Sequence, residues 1–382
     1  MLLCENTSHM LTGRELASFR KSLLRWFRQF QRDLPWRKSK DSYRIWLSEI
    51  MLQQTRVVAV IPYYERFLER FPNVQSLAEA PEEEVLRLWS GLGYYSRARN
   101  LQKAAQQIAG EFGGTFPRSR EQILSLSGIG EYTASAVASI AFGEKCAVLD
   151  GNVARVLSRL GAIRGDLRES KKWKNLQKEA DRLLAPDAPG DWNQAMMELG
   201  ATICTPRAPQ CLLCPVASNC EGRKLGIAEG LPEARQKRDV VDVVLASLVV
   251  TNAQGETLLL PPPKQKNKDD QADHVPTLVS NLWHFPTISA NGDLMKSVLA
   301  SCKSIFTTKP PKPESFQQLA SVRHSVTYRK VIVHPFLVRV IRLPKAHGAN
   351  TIALNRVTEL AISNLTRKIA KRALASLEAK RQ

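Results

Sequence analysis

Two carboxylates and four thiols stand among neighbours that would give them chemistry. Glu49 lies in a mostly apolar run, Ile45-Trp46-Leu47-Ser48-Glu49-Ile50-Met51-Leu52. Helical spacing sets it beside Ile45 and Trp46. Desolvation there raises a carboxyl's pKa, so the group holds a proton near neutrality and suits general-acid work. A buried, salt-bridged glutamate is the plainer alternative. Asp150 precedes Gly151-Asn152 at the mouth of a helix, a place where a carboxylate stays ionised and where an ordinary N-cap also sits. Cys204, Cys211, Cys214 and Cys220 follow the spacing C-x6-C-x2-C-x5-C. Four thiolates on one compact loop suit either structural zinc or a [4Fe–4S] cluster, and spacing alone does not choose. Cys4, Cys146 and Cys302 are scattered. No basic start or apolar core of a secretory signal is visible, so the cluster reads as metal ligands rather than disulfides.

These residues need elements to position them. Gln122–Phe142 reads helix, turn, helix, with Leu126-Ser127-Gly128-Ile129-Gly130 as the turn. Gly128 and Gly130 let the backbone bend sharply and leave its N–H groups unblocked. Together with the next helix N-terminus they suit one phosphate, although such a turn is often only a turn. Ala134, Ala136, Ala138 and Ala141 make the second helix thin enough to pack closely. Before about residue 235 apolar residues recur at helical spacing, over Phe19–Phe30, Tyr43–Arg56, Glu83–Trp89 and Arg97–Gly110. Beyond it come strand candidates, Asp242–Thr251, Glu256–Leu260 and Val331–Ile341. Lys264–Asp273 and Ser304–Pro313 read as loops, and Leu354–Leu377 regains helical spacing with a basic face.

Composition narrows the class. Of 382 residues, 43% are hydrophobic and 24% charged, which suits a chain with a real core and excludes general disorder and collagenous repeats. Lys+Arg number 55 against 36 Asp+Glu, a net charge of +19, which favours a polyanionic partner. The longest apolar runs, such as Val243–Val250, are far too short to span a bilayer, so no membrane role is expected.

The hairpin, the downstream LDGNVARVLSR and the cysteine spacing together resemble the helix-hairpin-helix DNA glycosylase superfamily, whose type member is endonuclease III. LPWR at 34–37, WLSEIMLQQTRV at 46–57 and GLGYYSRARNL at 91–101 are similar to the adenine DNA glycosylases of the MutY type. The resemblance is dense over residues 20–235. It implies a mainly α glycosylase domain over 12–235 with an iron–sulfur loop at 204–220, and an α+β Nudix-like domain over 236–382 ending in a basic helix. The implied activity is base-excision repair, hydrolysis of the N-glycosidic bond of adenine mispaired with 8-oxoguanine or guanine in duplex DNA. A cytoplasmic monomer is expected, nucleoid-associated if bacterial.

The resemblance also implies roles. Glu49 is the acid on adenine N7, Asp150 the carboxylate that stabilises positive charge on the sugar, and Asn152 orients Asp150 or the attacking water. Arg32, Trp36, Arg37 and Gln194 wall the adenine pocket, and Gln54 and Tyr94 are wedges that fill the emptied base stack. The cysteines hold a [4Fe–4S] cluster. Tyr132 stands where bifunctional relatives carry the Schiff-base lysine, so a monofunctional enzyme is expected. The Nudix-like part lacks the clustered glutamates of a working Nudix hydrolase, and its implied role is to read the opposite base. Where the family usually places Phe-Ser-His, this chain has Val326-Thr327-Tyr328. Thr327 keeps a hydroxyl, while the aromatic wedge is lost and Tyr328 replaces the histidine. A thymine or uracil mismatch glycosylase and a DNA-binding module without catalysis are the competing readings.

Overall fold

The computed structural model describes residues 10–233, 239–262, 282–290, 292–306, 311–312, 315–326 and 328–379. The chain divides into two compact units, Met1–Glu79 with Asn100–Gln236, and Ala80–Arg99 with Lys237–Gln382. Among the described residues no helix is long and apolar enough to cross a membrane.

The first unit is helical. Its N-terminal helix, Gly13–Phe30, buries Phe19, Leu23 and Phe27, one stripe repeating every four residues. Phe19 meets Trp192 edge-on at 5.5 Å, and Val153, Leu157, Met196 and Leu199 from helices Gly151–Leu160 and Pro189–Thr202 complete that core. Each such side chain stabilises by about 1.5–3 kcal/mol when fully buried.

The sequence spacing predicts one helix over Tyr43–Arg56. The structure instead has helix Ser42–Leu52, a break, and helix Val57–Arg70. The break has a backbone cause: Gln54 takes φ 55°, a left-handed turn that interrupts the helical ladder. Thr55 N–H donates to Leu52 O at 3.1 Å and closes it. Helix Ser42–Leu52 is capped by Asp41, whose Oδ1 accepts from Arg44 N–H at 2.8 Å, and it buries every residue from Tyr43 to Met51 except Arg44. The glycine turn lies where the sequence places it, between helices Arg120–Leu124 and Glu131–Phe142. Gly128 has φ 75°, and a Cβ there would come within 2.5 Å of Asn100 Cβ, so only glycine fits. The thin helix buries Ala134, Ala136 and Ala138 completely and stops at Gly143, φ 74°, as a left-handed C-terminal cap does.

The second unit is α+β. Among the described residues its seven strands are β1 (Val241–Thr251), β2 (Glu256–Leu259), β3 (Thr287–Ser289), β4 (Phe316–Gln318), β5 (Val322–Val326), β6 (Arg329–Arg339) and β7 (Asn350–Ala353). The order is β4-β6-β1-β2-β7, with β3 on β1 and β5 on β6. β1 and β6 pair in parallel from Val241↔Arg329 to Thr251↔Arg339. Leu245 and Val249 pack toward helix Asn364–Glu378, while Ala246, Leu248 and Val250 pack toward helix Leu294–Ile305. A strand covered on both faces explains the apolar run Val243–Val250, interrupted only by Ser247. The helical segment expected over Leu354–Leu377 divides into a 3-10 stretch, Leu354–Glu359, and the final helix, because Ser363 caps a new start by accepting from Thr366 N–H at 3.1 Å. Lys264–Asp273 and, of Ser304–Pro313, residues 307–310 and 313 lie outside the described residues; Ser304 and Ile305 end a helix rather than begin a loop.

Candidate active site

Helix Ser42–Leu52 and the helix that follows the glycine turn bring their chemistry to one cleft of about 710 Å³ in the first unit. Glu49, Tyr132, Asp150, Asn152, Arg32, Trp36, Arg37, Gln194 and Gln54 all line it. That volume is ordinary for a small-molecule pocket.

Glu49 is 6% exposed. The Tyr132 hydroxyl donates to its Oε2 at 2.7 Å and also lies 3.1 Å from Met197 Sδ. Burial pushes the Glu49 carboxyl up; the Tyr132 hydrogen bond opposes this, the Asp150 charge adds to it, and the group comes to about 7. It therefore holds a proton near neutrality and gives it up readily, which is what a general acid needs. Burial first, then the charges of Glu49 and Asp150, hold Tyr132 well above the ordinary phenol.

Asp150 caps helix Gly151–Leu160. Its Oδ1 accepts from Val153 N–H at 2.7 Å and its Oδ2 from Asn152 Nδ2 at 3.2 Å. The capping role and the cleft-facing role thus coexist in one side chain. Burial pushes its pKa up, against hydrogen bonds from Val153 and Asn152 and the charge of Arg155, so the environment does not favour the ionised form as simply as a helix mouth suggests. Arg155 ties the group down: its Nη2 donates to Asn152 Oδ1 at 2.9 Å and Gly200 O at 2.7 Å, and its Nε to Cys204 O at 2.9 Å.

Arg32 and Arg37 line the cleft with their guanidinium groups engaged. Arg32 grips Glu198 with Nε and Nη2, both at 2.7 Å, and Arg37 Nη2 reaches the same carboxylate at 2.9 Å. Glu198 is 1% exposed. Burial pushes it up, but the two arginines outweigh burial and hold it at about 2. Sequence reasoning passed over Glu198; its place four residues after Gln194 on helix Pro189–Thr202, on the same face, was the available signal. Trp36 is buried and meets Tyr64 edge-on at 5.4 Å. Gln194 donates only weakly, to Gly190 O at 3.4 Å. Gln54 is exposed at the rim.

The remaining residues are not among those that line the cleft. Gly130 is the N-cap of helix Glu131–Phe142, and a Cβ added to it would meet nothing within 4 Å. Tyr94, 46% exposed, belongs to the second unit. Tyr328 is half-buried at the β5–β6 turn with Arg329 5.0 Å from its ring; Thr327 lies outside the described residues. Cys204, Cys211, Cys214 and Cys220 line one small cavity with Arg159 and Arg223. Arg159 Nη1 donates to Cys204 Sγ at 3.3 Å, and a Cβ on Gly222 would strike Arg159 O at 2.6 Å. Burial and the neighbouring thiols push Cys214 up to about 11. Among the described residues no three His, Cys, Asp or Glu side chains converge closely enough to hold one metal ion.

Residues 47–186 match the family model of HhH-GPD superfamily base excision DNA repair proteins. The adenine DNA glycosylase of Homo sapiens is 49% identical over 219 residues, 55% of this chain and 40% of that one. The adenine DNA glycosylase of Arabidopsis thaliana is 36% identical over 321 residues, 74% of this chain and 49% of that one. The chain thus spans less than half the length of these two curated relatives. A solved thermostable thymine-DNA glycosylase is 31% identical, with a TM-score of 0.51 over 56% of this chain and 98% of its own. A helical unit built on a glycine hairpin, with a buried acid in its cleft and this likeness along nearly a whole solved glycosylase, places the chain in the HhH-GPD superfamily of base excision DNA repair proteins.

Proposed function

We propose that the chain is a monofunctional adenine DNA glycosylase acting on adenine opposite 8-oxoguanine or guanine in duplex DNA. The observation that carries the reading is Glu49, buried, held at about 7 and bonded to Tyr132 in the cleft that Asp150 shares. The target base leaves the stack and enters the cleft. Glu49 gives its proton to adenine N7, and the electrons of the C1′–N9 bond pass to the base, which leaves neutral. Asp150, oriented by Asn152 and Arg155, stabilises the positive charge left on the sugar. Water then adds at C1′ and returns a proton to the site. No amine stands at position 132, so no Schiff base forms there. Gln54 and Tyr94 are read as the side chains that fill the gap, and Gly128 and Gly130 as the phosphate turn. With Arg32 and Arg37 committed to Glu198, we read the three as one rigid wall of the adenine pocket, with Trp36 and Gln194 beside it.

The four cysteines share a cavity without converging on one ion position. Zinc would need them at about 2.3 Å from a single point, so the donor set fits a [4Fe–4S] cluster better. When bound, the cluster supplies a covalent tie across residues 204–220. The Nudix-like unit is assigned to reading the opposite base through the β5–β6 turn, where Tyr328 sits. Likeness to a thymine-DNA glycosylase supports one second reading, removal of mispaired thymine. Single-turnover assays on duplexes carrying A, T or U opposite guanine and 8-oxoguanine decide between them. Adenine release supports the proposal; thymine release without adenine release overturns it.

A further inference from the structure

The loop that carries Tyr94 has an uncommon backbone. Gly91, Gly93 and Tyr94 lie at φ 114°, 73° and 49°. A residue with a Cβ disfavours that region, so the surroundings must hold Tyr94 there. They act from both sides. Downstream, Arg97 N–H donates to Tyr94 O at 2.9 Å, its Nη2 donates to Gly93 O at 3.2 Å, and its guanidinium lies 5.5 Å from the Tyr94 ring. Upstream, the partners come from the far end of the chain, within the same compact unit. Ile362 O accepts from Ser90 Oγ at 2.9 Å and from the Tyr95 hydroxyl at 3.1 Å. Asn364 Nδ2 donates to Gly91 O at 3.1 Å, and Arg367 Nη2 donates to Ser90 Oγ at 2.9 Å.

Asn364 and Arg367 are three apart on the first turn of the final helix, on one face. Lys368, Lys371 and Arg372 of the same helix are exposed. Arg367 turns inward, where its Nε is buried with no acceptor among the described residues. A buried nitrogen left without an acceptor detracts from stability. A helix that only needed to pack would be served better by an apolar side chain at 367, so the contact with Ser90 is what the arginine adds.

We propose that Asn364 and Arg367 are positioning residues that clamp the Ser90–Tyr95 loop in the conformation that presents Tyr94 to the stack vacated by the target base. The proposal rests on reading Tyr94 as that inserted side chain. It gives the final helix a part in base extrusion, separate from reading the opposite base.

The test uses the full chain with a duplex in which 2-aminopurine neighbours the target adenine, so that fluorescence reports extrusion. Arg367→Met is expected to slow extrusion roughly tenfold, the scale of one lost charged hydrogen bond. Arg367→Lys recovers part of that loss, and the ratio of 8-oxoguanine to guanine preference stays unchanged. Tyr94→Ala gives a similar loss, and the double variant no more than either alone. Asn364→Ala carries the same prediction should the arginine variant not fold. Hydrogen exchange at amides 91–97 separates the two ideas. Faster exchange in Arg367→Met supports the clamp even where Tyr94→Ala extrudes normally, a result that would remove only the wedge reading. Unchanged exchange, or fully additive losses in the double variant, overturns the clamp.

Discussion

Tyr132→Phe is the most informative single change in the cleft, because it removes one hydrogen bond and little else. The hydroxyl donates to Glu49 Oε2 at 2.7 Å and so favours the ionised carboxylate. A hydrogen bond to a charged group is worth about 1.5–3 kcal/mol, and one pKa unit is about 1.4 kcal/mol. Its loss should therefore raise the Glu49 pKa by about one to two units, from a starting point of about 7. Base release needs Glu49 protonated. The basic limb of the single-turnover rate against pH should move upward by that amount, whatever happens to the height of the plateau. Stability follows the same sign. A carboxyl raised above its ordinary 4.5 contributes stability that is fully present below about 4.5 and is lost as pH rises through about 7. Without the phenol, the variant should lose more stability than the parent above pH 7. A basic limb that stays in place, or moves down, would refute the assignment of Glu49 as the titrating acid.

Three further outcomes follow from the geometry. Glu198→Gln leaves Arg32 and Arg37 without their carboxylate and should cost about 3 kcal/mol in urea unfolding at neutral pH, the low end for a broken buried pair because Arg32 is 38% exposed. Since Glu198 is held at about 2, its contribution is present above about 4.5 and fades as pH falls through about 2, and the gap between parent and variant should close in step. Gly128→Ala forces a Cβ against Asn100 at φ 75° and should destabilise by about 2 kcal/mol. Gly130→Ala, with open space around it, should leave stability within about 0.5 kcal/mol while weakening duplex binding; equal destabilisation of the two would contradict the packing described. On the proposed cluster the purified protein should be brown and hold iron, and Cys214→Ser should lose both; stoichiometric zinc in the parent would contradict the proposal.

The residues that meet in the cleft were legible because their signals are local. Glu49 announces itself by being the one ionisable group in an apolar run, and Asp150 by standing before a helix that follows the hairpin. Four thiols on one loop need no fold to be noticed. What could not be read depends on contacts far apart in the chain. The Tyr43–Arg56 run keeps helical spacing through Gln54, and only the left-handed turn at that residue, which polarity does not encode, ends the helix. Glu198 looks like a surface residue until Arg32 and Arg37, more than 160 positions away, close on it. Ala80–Arg99 reads as more of the same helical region, yet Ser90 and Tyr95 bond to Ile362 and the segment groups with the second unit. In that unit the runs Asp242–Thr251 and Val331–Ile341 were legible as strands, but their parallel pairing, from Val241↔Arg329 to Thr251↔Arg339, joins segments far apart in the chain and was not.

The proposed chemistry turns on the proton held at position 49. The most direct test is the single-turnover rate of adenine release by Glu49→Gln, at saturating enzyme, on a duplex carrying adenine opposite 8-oxoguanine. Duplex affinity is expected to be retained while release falls by about 10²–10⁴-fold, the usual contribution of a general acid. Release at the parent rate would contradict it.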